Sequence, residues 1–393
     1  MFQKPPALGV AIIGHGFMAA VHSQAWRTVA GVFDPPSHPR MTVLCGHDRV
    51  AAQSAALRLG WADAADDWRD VIHRDDVDIV DVCVPGDMHA EVAIAALKAG
   101  KHVLCEKPLA NSVSEAVAMA AAAERASTAG VRSMVGFNYR RVPAIALARE
   151  LVQDGRLGTI RHVRTAYLQD WLCSADHPMV WRLERARAGS GALGDLGAHI
   201  VDLAEFVAGQ RLTGVAAMTE TFVGERPISS SHALRDREPG STGSVGRVDV
   251  DDCAMFFGTL AGGAVATFEA TRFAMGRKNA LRLEINGSQG SIAFDFEAMN
   301  ELHLYDTRHG DLAGFRRILV TEPTHPYLSR WWPPGHGLGY EHTFTNQMFD
   351  MLSSISAGTD PEPSFADGLH VQEVLAAVER SASDRSIWTE VGR

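Results

Sequence analysis

The stretch Val10-Ala11-Ile12-Ile13-Gly14-His15-Gly16-Phe17-Met18-Ala19 ends an apolar run and opens an alanine-rich one. It reads as a strand, a tight turn and the start of a helix. Gly14 permits the turn, and Gly16 lets the backbone approach a pyrophosphate. Ala19 takes a third position where a small residue allows close helix–strand packing. The amides that open the helix, at Phe17 and Met18, are free to meet phosphate oxygens. A glycine string of this kind is common alone; its context gives it weight.

Working outward, residues up to 140 alternate short apolar runs with helical ones. Strands are predicted at 8–13, 42–45, 79–84, 102–104 and 132–135, and helices at 18–29, 50–59, 89–99 and 114–129. Ser114-Glu115 opens the last helix and Gly130 closes it. Nearly all-apolar strands alternating with such helices predict a doubly wound parallel sheet, a Rossmann domain over 1–140.

Past residue 140 the pattern changes. A long strand at 156–171 and a helix at 197–208 precede strands at 214–222, 253–260, 264–272, 281–286, 291–295, 302–305 and 317–320. Gly262-Gly263 reads as a two-residue hairpin, and Asn286-Gly287 marks a turn followed closely by Gly290. Consecutive strands joined by tight turns imply a second α/β domain, 141–393, with a large, mostly antiparallel sheet. The Ser-, Gly- and Arg-rich stretch 224–246 reads as a mobile loop within it. Helices at 341–356 and 366–383 end the chain.

The 393 residues carry 37 Lys and Arg against 47 Asp and Glu, a net charge of −10. Nucleic acid and anionic membranes need a basic footprint, so neither is an expected partner. No apolar run spans a bilayer, and Met1–Pro6 has no signal-peptide core. The cysteines, Cys45, Cys83, Cys105, Cys173 and Cys253, are odd in number and form no CxxC pair. A reduced cytoplasmic enzyme is expected, without disulfides.

Two further stretches suggest chemistry. Cys105-Glu106-Lys107-Pro108 follows the fourth strand and puts Lys107 at the carboxyl edge of the sheet, where such folds bind ligands. Gly189-Ser190-Gly191-Ala192-Leu193-Gly194-Asp195-Leu196-Gly197-Ala198-His199 is a glycine-rich turn feeding a helix. Asp195, His199 and Asp202, spaced by four and three, would share one helix face. Oxidising an alcohol by hydride loss needs a base for the hydroxyl proton, and a histidine suits that near neutral pH. The plainer alternatives are a solvated loop lysine, a capping aspartate and a satisfied histidine. For the ribose, Asp48 after the second strand favours NAD, although Gly46 fills the usual acidic place. His47 or Arg49 would favour the 2′-phosphate of NADP.

With Gly14–Ala19 and His22, Pro85-Gly86-Asp87-Met88-His89, Glu106-Lys107-Pro108 and Asp195…His199 in this order, the chain resembles the Gfo/Idh/MocA oxidoreductases. That family includes glucose–fructose oxidoreductase and inositol dehydrogenases. The resemblance implies a Rossmann domain joined to an antiparallel-sheet domain. It implies cofactor contacts from Gly14, Gly16, Phe17, Met18, Asp48, Pro85, His89, Glu106 and Lys107. It further implies that Lys107 and His199 flank the reacting carbon with Asp195 assisting, His199 being the expected proton acceptor. A homo-oligomer, commonly a tetramer stacked through open sheets, is also implied.

Aromatic and polar residues mark the substrate contacts: Tyr139 and Arg140 after the fifth strand, Gln169 and Trp171 after the long strand, and His336 in Trp331-Trp332-Pro333-Pro334-Gly335-His336. Sugar sites pair aromatic faces with short polar groups. The last string, with Gln169-Asp170-Trp171, is similar to a subgroup that oxidises C3 of anhydrosugars such as levoglucosan or of glycosides. Myo- or scyllo-inositol dehydrogenase is the alternative, then 1,5-anhydrofructose reduction. A non-catalytic nucleotide and sugar sensor and an NAD-retaining hydrolase stay open. No metal is expected, since no HExxH-like motif occurs.

Overall fold

The computed structural model describes residues 7–228 and 244–392; Met1–Pro6 and most of the predicted 224–246 loop lie outside the described residues. In chain order the first elements are β1 (Ala7–Ile13), α1 (Phe17–Phe33), β2 (His38–Cys45), α2 (Arg49–Leu59), β3 (Asp63–Ala65), α3 (Trp68–Val71), β4 (Ile79–Val82), α4 (His89–Lys98), β5 (His102–Cys105), α5 (Val113–Thr128) and β6 (Ser133–Val135). There follow α6 (Pro143–Gln153), β7 (Ile160–Leu168), α7 (Arg185–Ala188), a π-helical turn (Leu193–Gly197), α8 (Ala198–Ala208) and β8 (Leu212–Glu220). The chain continues with β9 (Glu225–Pro227), β10 (Val245–Arg247), β11 (Cys253–Leu260), β12 (Val265–Thr271), β13 (Ala280–Gly287), β14 (Gly290–Asp295), β15 (Glu301–Asp306) and β16 (Arg316–Leu319), and ends with α9 (Tyr340–Ala357), α10 (Phe365–Ser383) and β17 (Thr389–Glu390).

Two compact units result. The first holds residues 1–141, 327–332 and 338–369; the second holds 142–326, 333–337 and 370–393. A single division at residue 140 would assign α9 to the second unit. It folds with the first because Phe344, Met348, Met351 and Leu352 are buried against Trp26, Val29 and Phe33 of α1.

In the first unit six strands of the described residues form a parallel sheet of order β3-β2-β1-β4-β5-β6. That is a Rossmann topology, and its order reverses beside β1. Val10–Ile13 and Ile79–Val82 are wholly buried, as strands covered on both faces must be. α1 buries Ala19, His22, Trp26, Val29 and Phe33 at helical spacing, which lays it along the sheet. β3 was not legible in the sequence: Asp-Ala-Ala has no strand propensity, and β2 recruits it through main-chain pairing alone. α5 is capped by Ser112, whose Oγ accepts from Glu115 N–H, two residues before the predicted start.

In the second unit nine described strands form a mixed, mostly antiparallel sheet of order β16-β15-β14-β13-β7-β12-β11-β8-β17. Its one parallel pair is β7 with β12. Burial alternates along β11 and β12, so one face is covered and the other open. α8 lies against β7, β12 and β13, and α6 against α8, β14 and β15. The Gly262-Gly263 hairpin forms as predicted in place, with Gly263 at φ +86°. The turn marked by Asn286-Gly287 forms slightly later than its glycine suggests. β13 runs through Gly287, whose Cβ would stand 2.0 Å from the Leu157 carbonyl oxygen, and the chain turns at Ser288 and Gln289.

Candidate functional site

In the first unit the β1–α1 turn is shaped by two glycines with different reasons to be glycine. Gly14 has φ +117°, donates its N–H to Cys45 O, and a Cβ there would stand 2.3 Å from the Cys83 carbonyl oxygen. Gly16 has nothing within 4 Å of a Cβ position, so a side chain would project into open space. Gly16 also caps the 17-residue helix α1 without a side-chain hydrogen bond. Open space before uncapped amides at Phe17 and Met18 fits a dinucleotide pyrophosphate. Phe17 is exposed and Met18 half-buried.

At the ribose end, the exposed Asp48 has a structural task that the sequence did not suggest. Its Oδ1 accepts from Val50 and Ala51 N–H at 2.9 and 3.0 Å and caps α2. Those bonds hold its carboxyl below the usual range. At Gly46, where the acidic ribose reader would stand, a Cβ would meet His15 Cδ2 at 2.3 Å. The His15 and His47 rings stack 6.0 Å apart beside it.

The loop after β5 carries Lys107, half-buried, between two anchors. Before it, Glu106 Oε1 meets His22 Nε2 at 3.1 Å and Oε2 accepts the Lys107 N–H at 3.3 Å. After it, the Pro108 carbonyl meets His89 Nδ1 at 2.9 Å. His89, expected as a cofactor contact, is buried and also sets Nε2 against Val84 O at 3.0 Å. Its two ring nitrogens face main-chain carbonyls on either side, and the one that carries the proton ties the ring to the loop. Pro85 opens the short turn that leads into α4. His22 Nδ1, an Asp81 oxygen and Cys83 Sγ lie within 4.8 Å of one another, a donor set that the sequence did not reveal. Trp26 Nε1–H donates to that same carboxylate at 2.7 Å, so the group reads as a hydrogen-bonded ion cluster.

Tyr139 is buried and Arg140 half-buried in the turn 138–141. Tyr139 faces Tyr340 of α9, with ring centroids 6.3 Å apart. The neighbouring Arg141 is a structural residue, paired to Asp350 at 3.0 Å. Trp331 also packs: its ring meets Phe33 and His342, and its Nε1 donates to Asn346 Oδ1 at 3.0 Å.

In the second unit a π-helical turn carries Asp195 and runs into α8, where His199 occupies the second position. The Ala198 N–H reaches back five residues to Leu193 O. This wider turn breaks the α-helical register, so four-residue spacing does not itself put Asp195 and His199 on one face. π turns concentrate at functional sites. Asp251 fixes the glycine loop before it, accepting from Gly191 N–H and Leu193 N–H, both at 2.7 Å. Arg272, fully buried, donates to the Asp251 carbonyl at 2.9 Å. Burial pulls its guanidinium below the usual value, with Asp195, Asp251 and Asp252 opposing.

His199 is buried, with the Tyr167 ring edge-on at 5.9 Å. The Tyr167 hydroxyl donates to Asn279 Oδ1 at 2.7 Å, and Gln169 Nε2 donates to the same oxygen at 2.7 Å. Trp171 is half-buried, with the His177 ring edge-on at 5.3 Å and the Arg272 guanidinium 5.7 Å from its centroid. The unit therefore gathers His199, Tyr167, Gln169, Asn279 and Trp171 around β7, β12 and β13. Asn279, Asp251, Arg272 and Tyr167 went unread because the pairing of strands far apart in sequence brings them together. His336 is exposed, with Nδ1 on Pro333 O at 2.9 Å.

Residues 8–137 match the description "Oxidoreductase family, NAD-binding Rossmann fold", and residues 145–293 match "GFO/IDH/MocA C-terminal domain". Levoglucosan dehydrogenase from Pseudarthrobacter phenanthrenivorans is 40% identical over 388 residues, 98% of each chain. A crystal structure of an oxidoreductase domain protein from Kribbella flavida is similar at a TM-score of 0.94 and 60% identity, over 98% of this chain and 100% of that one. Levoglucosan dehydrogenase in complex with NADH and levoglucosan is similar at a TM-score of 0.91 and 39% identity, over 98% and 99% of the two chains.

Proposed function

The chain belongs to the Gfo/Idh/MocA family of NAD-binding oxidoreductases, and from that premise we propose that it oxidises a secondary hydroxyl of a sugar, at C3 of levoglucosan or a related glycoside. The observation carrying the sugar reading is the likeness to levoglucosan dehydrogenase along nearly the full length of both chains, the second unit included.

The dinucleotide is held by the β1–α1 turn, with Gly16 leaving room for the pyrophosphate and the Phe17 and Met18 amides meeting it. NAD, when bound, supplies the acceptor for the hydride. His199 takes the hydroxyl proton. Lys107 stabilises negative charge growing on the oxygen as the proton leaves. Asp195, Gln169 and Trp171 bind the other hydroxyls and a ring face, while Asp48 Oδ2 is left for the ribose. The enzyme works in a reducing compartment, the cytoplasm, where its five free cysteines stay thiols. Two copies meet through the open face of the second-unit sheet.

The test is NADH absorbance growth at mildly alkaline pH with levoglucosan, inositols, glucose, xylose and simple glycosides, each with NAD or NADP. Turnover of levoglucosan with NAD, and a 3-keto product, is the expected result. Activity on inositol alone keeps the chemistry and discards the substrate. Silence on every sugar, with NADH still bound, removes the oxidation reading in favour of reduction, NAD-retaining hydrolysis or sensing.

A further inference from the structure

The proposed reaction leaves one buried ion cluster without a task. His22, fully buried on α1, sets Nδ1 against both Asp81 oxygens at 3.0 and 2.9 Å, and Nε2 against Glu106 Oε1 at 3.1 Å. Also facing the ring are Cys83 Sγ, just after β4, 3.5 Å from Nδ1, and the Phe344 ring of α9, 5.2 Å between centroids. Trp26, on the same helix as His22, donates to Asp81.

With both carboxylates ionised, proton counting sets the state of the ring. An ionised carboxylate only accepts, and a neutral imidazole has one N–H. A neutral His22 would turn a lone pair towards a carboxylate; an imidazolium donates on both sides. Burial pulls the ring towards neutrality, but the Asp81 charge, together with Cys83 and the hydrogen bonds to both, outweighs it and holds His22 well above the ordinary histidine value. Burial pushes the Cys83 thiol up, which keeps it uncharged.

Stability does not explain such a cluster, because burying ions costs about as much as their attraction returns. Position does. Glu106, clamped at Oε1, presents Oε2 to the Lys107 amide. Gly136 makes room for it, since a Cβ there would stand 2.7 Å from Glu106 Oε1. His89 holds Pro108 on the other side.

We propose that His22 is a positioning residue for Lys107: as an imidazolium bridging Asp81 and Glu106 it fixes the Glu106 carboxylate, and through it the main chain from which Lys107 projects. The proposal rests on the role given above to Lys107.

The test uses His22→Gln in the full chain, with four readouts. Turnover should fall about tenfold or more while sugar KM and the NADH dissociation constant stay within about threefold. Hydrogen exchange at the Lys107 amide, which needs no substrate, should quicken at least about tenfold. In the unaltered protein, nitrogen-15 shifts should show both His22 ring nitrogens protonated from about pH 6 to 8. Turnover within about twofold of the unaltered enzyme, or NADH affinity lost in step with turnover, overturns the proposal. So does unchanged exchange at Lys107, or a neutral His22 ring, which is measurable even if the variant does not fold. A stoichiometric metal on Nδ1 would overturn it as well. If no sugar is oxidised, the sugar reading fails alone, and the exchange and nitrogen-15 measurements still judge His22.

Discussion

Gly14 and Gly16 sit two residues apart in one turn, and their substitutions should fail differently. Gly16→Val fills open space, so the protein should fold and lose NADH binding; calorimetry showing unchanged affinity would break the reading of the turn. Gly14→Ala drives a Cβ into the Cys83 carbonyl at positive φ, so it should lower the melting temperature before binding is measured. A wild-type melt for Gly14→Ala would contradict that. Lys107→Ala and His199→Ala should each leave NADH affinity nearly intact and cut turnover about 10²–10⁴-fold. A variant with normal turnover removes that residue from the reaction. The glycines were legible because a strand–turn–helix pattern surrounds them. The structural partners of His89 and Asp48, the carbonyls of Val84 and Pro108 and the first amides of α2, were not legible because they are set by main-chain geometry that residue type does not encode.

The π turn before α8 depends on a carboxylate 58 to 60 residues from the amides it holds. Asp251 satisfies Gly191 and Leu193 N–H with separate oxygens, and a Cβ at Gly191 would collide with the Asp251 carbonyl. Asp251→Asn keeps the size but turns an NH₂ towards one of those N–H groups. We expect a loss of about 1–3 kcal/mol in unfolding free energy, the penalty for an unsatisfied buried donor. We also expect lower turnover with NADH affinity unchanged, because the displaced element bears His199. Denaturation together with kinetics checks this, and a variant as stable and as fast as the original would show that the loop holds itself. Elements with a strong period, α1 and β11 among them, were visible in the sequence. β3 and the π turn were not: one is recruited by its neighbour, and the other differs from an α-helix by a single hydrogen-bond shift.

Two compact units are more than a linear reading could assign, because α9 returns from late in the chain to bury Phe344 and Met348 against α1. The second unit leaves a different problem. The face of its sheet opposite α6 and α8 exposes Met218 at 56%, Phe257 at 55%, Val265 at 51% and Met255 at 46% on the adjacent strands β8, β11 and β12. Farther across, Arg164 pairs with Glu284 at 2.8 Å and Arg282 with Asp295 at 2.9 Å. An apolar patch of four large side chains beside paired charges suits a self-complementary contact, since both copies bring the same mixture. A stable contact needs about 800 Å² from each partner, and the open face of a nine-stranded sheet offers room for it. Phe257→Glu with Met255→Glu places like charges at the centre of such a contact without touching the covered face. Light scattering should then show the assembly reduced in mass while NADH affinity persists. If the unaltered chain is already a monomer at working concentration, the open face does not join copies, and its four apolar side chains need another partner.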